Sequence, residues 1–186
     1  MNENVYEPSD DTELLYDLVD SEPGESALEI GSGTGVISIK LAKKGARVIA
    51  VDINPWAALA TKLSAELNDV DVDVINCDVA SCLRDVKFDL AVFNPPYLPV
   101  DEVRSWIDYA WAGGRSGIDV LLRFFDMVRA FRYYVVYSSL SDFDSLMTYF
   151  NSRRFEIRKV ASKTVGFETI YAVEVKPHDK GGTGRT

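Results

Sequence analysis

The sequence predicts an α/β fold, a mostly parallel sheet with an antiparallel edge and helices on both faces. Two patterns predict it. Short apolar runs alternate with amphipathic stretches of helical spacing along most of the chain, as strand–helix–strand units require. Near the C-terminus the alternation stops, and two strand-like runs follow one another without a helix, which makes them antiparallel neighbours. With 186 residues and 47% apolar content, the chain suffices for one core. One domain over residues 1–176 is expected, followed by a frayed Gly-, Lys- and Thr-rich tail at 177–186.

Ser26-Ala27-Leu28-Glu29-Ile30 reads as a buried strand, and residues 36–44 as the helix after it. Residues 46–51 are a second strand. A helix over 55–67 follows, with Pro55 suited to its first position and Asn54 or Asp52 near its cap. Residues 70–76 alternate Val and Asp before Ile75, as a strand with one wetter face does near a sheet edge. Phe88-Asp89-Leu90-Ala91-Val92-Phe93 is a fourth strand. Helical spacing covers 117–130, Tyr133-Tyr134-Val135-Val136-Tyr137 is a fifth strand, and 143–151 is a further helix. Residues 155–160 and 169–175 are the closing pair of strands.

Charge and composition exclude several function classes. With 20 Lys+Arg against 29 Asp+Glu the net charge is −9, which argues against a general nucleic-acid binder that neutralises phosphates with a basic surface. No run approaches the ~18 apolar residues of a membrane span, and the polar start Met1-Asn2-Glu3-Asn4-Val5 is not a signal peptide. Two cysteines, Cys77 and Cys82, are too few for a disulfide scaffold or a four-Cys zinc site, so no metal site and a reducing, cytoplasmic home are expected. The single histidine, His178, lies in the tail, which excludes Ser-His-Asp and Cys-His chemistry. Any proton transfer is left to carboxylates, tyrosines or water.

Glu29-Ile30-Gly31-Ser32-Gly33-Thr34-Gly35 joins the first strand to a helix, the context a nucleotide-type site requires. Its glycines let a ligand approach the backbone. Asp52, at the end of the second strand, can take both hydroxyls of a ribose; a tight turn with Asp52 as a helix cap is the plain alternative. The spacing is G-x-G-x-G, with Val36 where a dinucleotide site has its third glycine. Glu29 before the loop would repel a pyrophosphate and suits a cation. S-adenosylmethionine, with a sulfonium and an ammonium, fits such an acidic loop. Asp78 can accept from an adenine amine while Val79 offers a backbone donor; a helix cap at Asp78 is the alternative.

Asn94-Pro95-Pro96-Tyr97 follows the fourth strand directly. The prolines stiffen the turn and restrict the residue before each, so Asn94 is held at the carboxyl end of the sheet, where open α/β sheets bind ligands. A planar amide or aromatic amine donates two N–H bonds, which Asn94 Oδ1 and the Pro95 carbonyl can accept while Tyr97 lies against the planar face. A rigid proline turn is the alternative. In-line alignment of nitrogen, methyl and sulfonium can provide up to ~7–11 kcal/mol without any base.

These residues resemble the HemK-type glutamine methyltransferases, which modify class-1 translation release factors. The resemblance covers nearly the whole chain. Val5-Tyr6-Glu7-Pro8-Ser9-Asp10-Asp11-Thr12-Glu13-Leu14-Leu15 is similar to the opening of the archaeal and eukaryotic branch. Leu28 to Gly35, Asp52 and Asn94 to Tyr97 match its cofactor loop, ribose acid and acceptor motif, and Trp111-Ala112-Gly113-Gly114-Arg115-Ser116-Gly117 is the most discriminating segment. The resemblance implies a Rossmann-like class I methyltransferase of seven strands that converts S-adenosylmethionine to S-adenosylhomocysteine. It implies as acceptor the glutamine of the release factor's Gly-Gly-Gln loop. The cofactor set expected from loop and resemblance together is Thr12, Glu29, Gly31, Gly33, Gly35, Asp52, Ile53, Asp78, Val79 and Asn94; Asn94, Pro95 and Tyr97 form the catalytic set. For Tyr6 a core aromatic is the alternative, and for Trp111 and Arg115 packing and a solvated charge.

Bacterial members carry an N-terminal helical substrate domain, whereas this chain begins almost at the cofactor domain. The resemblance therefore implies a small zinc-binding activator subunit, with residues 70–76 as a candidate edge for it or an ordinary wet edge strand. Adenine-N6 methylation of DNA or RNA, and lysine methylation of another protein, are the competing activities. A base-acting enzyme must expose its base and hold the backbone, and no basic stretch flanks Tyr97. A non-catalytic cofactor-holding module is the third class, and no motif favours it.

Overall fold

The computed structural model describes residues 3–100 and 102–178. α1 (Asp10–Leu18) is followed by β1 (Ser26–Ile30), α2 (Val36–Lys43), β2 (Arg47–Asp52), α3 (Pro55–Leu67), β3 (Val72–Asn76) and β4 (Lys87–Phe93). A 3-10 helix (Trp106–Ala110) and α4 (Asp119–Met127) lead to β5 (Arg129–Ser138), then α5 (Phe143–Arg153), β6 (Phe155–Val165) and β7 (Glu168–Pro177). All seven strands form one sheet in the order β3-β2-β1-β4-β5-β7-β6. β1 to β5 pair in parallel, and β7 runs against both of its neighbours. The sheet has the seven strands and the antiparallel C-terminal strand that were expected.

Side chains alternate across the sheet with the period of two that strands impose. In β4, Leu90 and Val92 face the layer of Leu15, Leu41 and Ala65, from α1, α2 and α3. Ala91 and Phe93 face the layer of Phe124, Leu146 and Phe150, from α4 and α5. Each fully buried Leu or Phe contributes roughly 1.5–3 kcal/mol by leaving water. Helices therefore cover both faces, as expected.

Several boundaries moved, and one element was missed. Helical spacing over 117–130 predicts one helix, but α4 ends at Met127 and residues 129–132 belong to β5. Pairing decides this: Arg129 and Ala130 register against Lys87 and Phe88 of β4, so ladder bonds replace helical ones. β6 and β7 extend to a two-residue turn at Gly166-Phe167, with Val165 opposite Glu168. Their outer stretch is polar, which hid it from an apolar-run search. The 3-10 helix at Trp106 was missed although Ser105 and Asp108 form a capping box before it. Elsewhere the local signals held: Pro55 opens α3 and the Asn54 side chain accepts from the Trp56 N–H, and β3 lies at the sheet edge.

Cys77 and Cys82 are joined as a disulfide that ties the single turn after β3, with Cα atoms 6.2 Å apart. The inference of a reducing home did not anticipate this pairing. Of the expected tail, Pro177 ends β7 and the His178 N–H donates to the Arg154 carbonyl; residues 179–186 lie outside the described residues. Among the described residues no helix is long and apolar enough to cross a membrane.

The strand order places a switch point between β1 and β4. From β1 the chain winds outward through β2 and β3, then returns to β4 on the other side of β1. Loops leaving the two sides diverge there, and a crevice opens at the carboxyl ends.

Candidate active site

A cavity of about 370 Å³ fills that crevice. Ile30 registers with Val51 of β2 on one side and Phe93 of β4 on the other. The three residues that follow, Gly31, Asp52 and Asn94, therefore meet at its floor. Of the expected residues, Thr12, Glu29, Gly31, Gly33, Asp52, Ile53, Asp78, Val79, Asn94 and Pro95 line the cavity. Gly35 and Tyr97 do not. Gly35 caps α2 at φ +84, and a Cβ there would meet Thr61 Cγ2 at 3.0 Å. Its place in the loop is a helix-packing one.

The walls are acidic. Glu29 is buried, its Oε2 accepting from the Ser38 N–H at 2.9 Å and from the Ser38 hydroxyl. Burial pushes its carboxyl up to about 8, against which the Ser38 bonds act. Asp52 is also buried: Oδ2 accepts from the Gly33 N–H and Oδ1 from the Asn54 N–H, both at 2.9 Å. Burial raises its carboxyl too, and the two N–H donors oppose that rise. Asp78 is half-exposed and pairs with Arg123 at 2.8 Å. Val79 beside it sits at φ +50, a left-handed conformation that costs a β-branched residue of order 1–3 kcal/mol. Strain of that size at a cavity wall fits a ligand-contacting backbone.

Asn94 is the polar group left incomplete. Its Nδ2 donates to Thr12 Oγ1 at 3.4 Å, and its buried Oδ1 has no partner. An unsatisfied buried acceptor costs about 1–3 kcal/mol. Thr12 is tied to Asp11, whose Oδ1 accepts from the Thr12 N–H at 2.5 Å and the Thr12 hydroxyl at 3.1 Å. Asp11 Oδ2 accepts from the hydroxyls of Tyr6 and Tyr97, each at 3.2 Å. The Tyr97 phenol is thus turned to Asp11. Burial, then the Asp11 charge, pushes Tyr6 up to about 12 and raises Tyr97 as well. Tyr6 lines the cavity and meets Trp111 edge-on at 5.2 Å between centroids.

The segment at 111–117 braces the Asn94 motif from outside. The Leu98 N–H donates to the Trp111 carbonyl at 3.1 Å, and the Gly113 N–H donates to the Leu98 carbonyl at 2.9 Å. Gly117, at φ +72, lies so close that a Cβ would stand 2.5 Å from the Tyr97 carbonyl oxygen. Only glycine admits that approach. Trp111 and Arg115 are exposed and do not line the cavity.

Sequence reasoning missed five contributors. Trp106, Ile107 and Tyr109 of the 3-10 helix line the cavity, with Trp106 and Tyr109 rings 5.7 Å apart; the capping box was the signal that could have found them. Arg123 lines it through its pair with Asp78, and no local pattern marks it. Asp11, two residues into α1, looked like an ordinary first-turn acid. The described residues hold no cluster of His, Cys, Asp and Glu that could bind a metal ion.

Comparisons with known proteins bear on this arrangement. A Methanocaldococcus jannaschii protein provisionally named a protein N5-glutamine methyltransferase is 41% identical over 128 residues, covering 67% of this chain and 64% of that protein. Methyltransferase HEMK2 of Homo sapiens is 43% identical over 139 residues, covering 67% of this chain and 65% of that protein. The chain thus spans slightly under two thirds of the length of these relatives. Among solved structures, a chain of the E. cuniculi Mtq2-Trm112 complex, responsible for methylation of the eRF1 termination factor, superposes with a TM-score of 0.78. It is 24% identical, with 94% of this chain and 99% of that chain covered, and so shows the fold. The family description "Methyltransferase small domain" matches residues 7–107, from the segment before α1 through both cavity walls to the 3-10 helix. The chain belongs to the methyltransferase small domain family.

Proposed function

We propose that this chain methylates the side-chain nitrogen of a glutamine, in the Gly-Gly-Gln loop of a class-1 release factor, using S-adenosylmethionine. The observation that carries the reading is Asn94 Oδ1, a buried acceptor without a donor, aligned beside an acid-walled cavity. An amide NH2 supplies the missing hydrogen. Relatives named for glutamine N5-methylation point the same way.

The cavity fits the methyl donor chemically. Glu29 is held at about 8 by burial, a cost that a neighbouring ammonium removes. Gly31 and Gly33 leave backbone open beside it. Each Asp52 oxygen accepts one backbone N–H and keeps a lone pair, so Asp52 with Ile53 is assigned to the ribose. Asp78 and Val79 are assigned to the adenine edge, and Thr12 to the amino-acid end. When bound, the donor supplies an electrophilic methyl carbon on a sulfonium.

The chain's own residues do the rest. Asn94 Oδ1 and the Pro95 carbonyl accept the two amide hydrogens, which turns the nitrogen toward the methyl. Pro95 and Pro96, both buried, hold that geometry. Trp106, Ile107 and Tyr109 exclude water from the mouth. Positioning replaces a base, and the proton leaves to water after transfer. Four wall carboxylates, Asp11, Glu29, Asp52 and Asp78, face one guanidinium, Arg123. That balance disfavours a phosphate backbone and with it nucleic-acid methylation.

A small zinc-binding activator subunit belongs to the same proposal. Trp56, Leu59, Leu63 and Leu67 are 43%, 50%, 50% and 88% exposed on one stripe of α3, beside the open edge of β3. An apolar stripe next to an unpaired strand suits a partner that adds a strand. A cytoplasmic location goes with a ribosomal substrate.

The test is labelled methyl transfer to a release factor, to its loop-glutamine-to-alanine variant and to oligonucleotides, with the activator co-expressed. Label on the loop glutamine by mass spectrometry is expected. Label confined to nucleic acid, or to a lysine, overturns the reading. Leu63→Glu is expected to abolish co-purification of the activator without unfolding the chain.

A further inference from the structure

We infer that Asp11 is a positioning residue for the acceptor motif, clamping Thr12 and Tyr97 at once so that the Asn94 carboxamide stands one way round. A carboxylate accepts hydrogen bonds and donates none. Asp11 receives the hydroxyls of Thr12, Tyr6 and Tyr97, so each hydroxyl proton points at it. Thr12 has one hydroxyl proton, and it is taken. Thr12 Oγ1 then offers Asn94 only lone pairs, and the group facing it must be the amide NH2, as found. The reversed carboxamide would set oxygen against oxygen. Oδ1 is thereby left on the far side, buried and unpartnered, where an incoming donor is needed.

The same carboxylate holds the other end of the motif. Tyr97 lies three residues after Asn94 and 86 residues from Asp11, yet its phenol reaches Oδ2 at 3.2 Å. The raised phenol of Tyr97 keeps the proton that this bond requires. Tyr97 is thus a latch on the turn, and the tyrosine of the motif serves the substrate through Asn94 without touching it. Asp11 itself is 3% exposed, so solvent does not substitute for any of these bonds. The inference deepens the methyl-transfer reading and depends on it for the rate measurement alone.

The experiment follows the Asn94 side-chain NH2 resonances in the 15N-labelled full chain, assigned by their loss in Asn94→Asp. In the wild type, slow exchange with water is expected. In Asp11→Asn the exchange should accelerate at least tenfold and kcat should fall at least tenfold, while the dissociation constant of S-adenosylhomocysteine changes less than threefold. Wild-type exchange in Asp11→Asn overturns the inference. So does an affinity loss equal to the rate loss, which would make Asp11 a cofactor ligand. Should Asp11→Asn fail to fold, Tyr97→Phe carries the test, with exchange about threefold faster supporting the latch and unchanged exchange refuting it. If the wild type methylates no release factor while the NH2 exchange responds as stated, the methyl-transfer reading falls and the positioning role stands.

Discussion

The two rims of the cavity are built from matching positions and end in opposite states. Asp52 follows Val51 and Asn94 follows Phe93, and both strands register with Ile30 of β1. At the β2 rim, both oxygens of Asp52 are satisfied by backbone N–H groups of neighbouring loops. At the β4 rim, Asn94 Oδ1 is buried with nothing to accept. A satisfied rim holds its own shape, because the bonds that define it also stabilise it. An unsatisfied rim needs outside support. The β4 rim receives it from Asp11 and Thr12 on one side and from the segment at 111–117 on the other. Under the proposed function, cradling a ligand and orienting a substrate place opposite demands on two otherwise equivalent strand ends.

The largest effect should come from Asn94→Ala. Transfer is expected to fall at least about 100-fold, as for loss of one aligned polar group at a reacting centre, with cofactor affinity within about threefold. The same variant should leave the melting temperature unchanged or raised, because it removes an orphaned acceptor. A clear drop in melting temperature would break the contrast between the rims. Gly117→Ala comes next, since its Cβ would meet the Tyr97 carbonyl oxygen at 2.5 Å. A loss of about 2–3 kcal/mol is expected from overpacking and the left-handed backbone, read as a melting temperature lower by roughly 4–10 °C.

Asp52→Ala should weaken cofactor binding by about 1–3 kcal/mol in calorimetry. It should also lower the melting temperature, because the Gly33 and Asn54 N–H groups lose their acceptor. Opposite signs of stability change at Asp52 and Asn94 would sharpen the distinction; equal signs would remove it. The smallest effect concerns pH. Burial holds Glu29 at about 8, and a bound cation favours its ionised form. Binding therefore releases a proton below that value, and affinity should rise with pH up to about 8, by at most about tenfold per unit. Calorimetry in buffers of different ionisation enthalpy should show about one proton released at pH 7, and none from this group in Glu29→Gln.

Much of the acidic side of the cavity was legible in the sequence. Glu29 and Asp52 stand at the carboxyl ends of β1 and β2, and the glycine loop and Asp78 come after β1 and β3, so their place at that end of the sheet follows from the alternation alone. Asn94 was legible for the same reason, because prolines after a strand restrict the chain over two or three residues. Gly35 and Tyr97 lie off the cavity lining, and local spacing gives no sign of their neighbours in space, Thr61 and Asp11. Trp106 and Tyr109 were overlooked because a short 3-10 helix has no apolar period to reveal it.

Periodicity, caps and glycine spacing are short-range features, and they determined the strand–helix succession, the crevice and the chemistry of its acid wall without any knowledge of packing. The tertiary structure alone decided where β5 begins, which way Tyr97 turns, why Gly117 must lack a side chain, and that Asp11 joins residues far apart in the chain. Those outcomes depend on which strands become neighbours, and hydrogen bonds between distant segments leave no mark in the local pattern of either one.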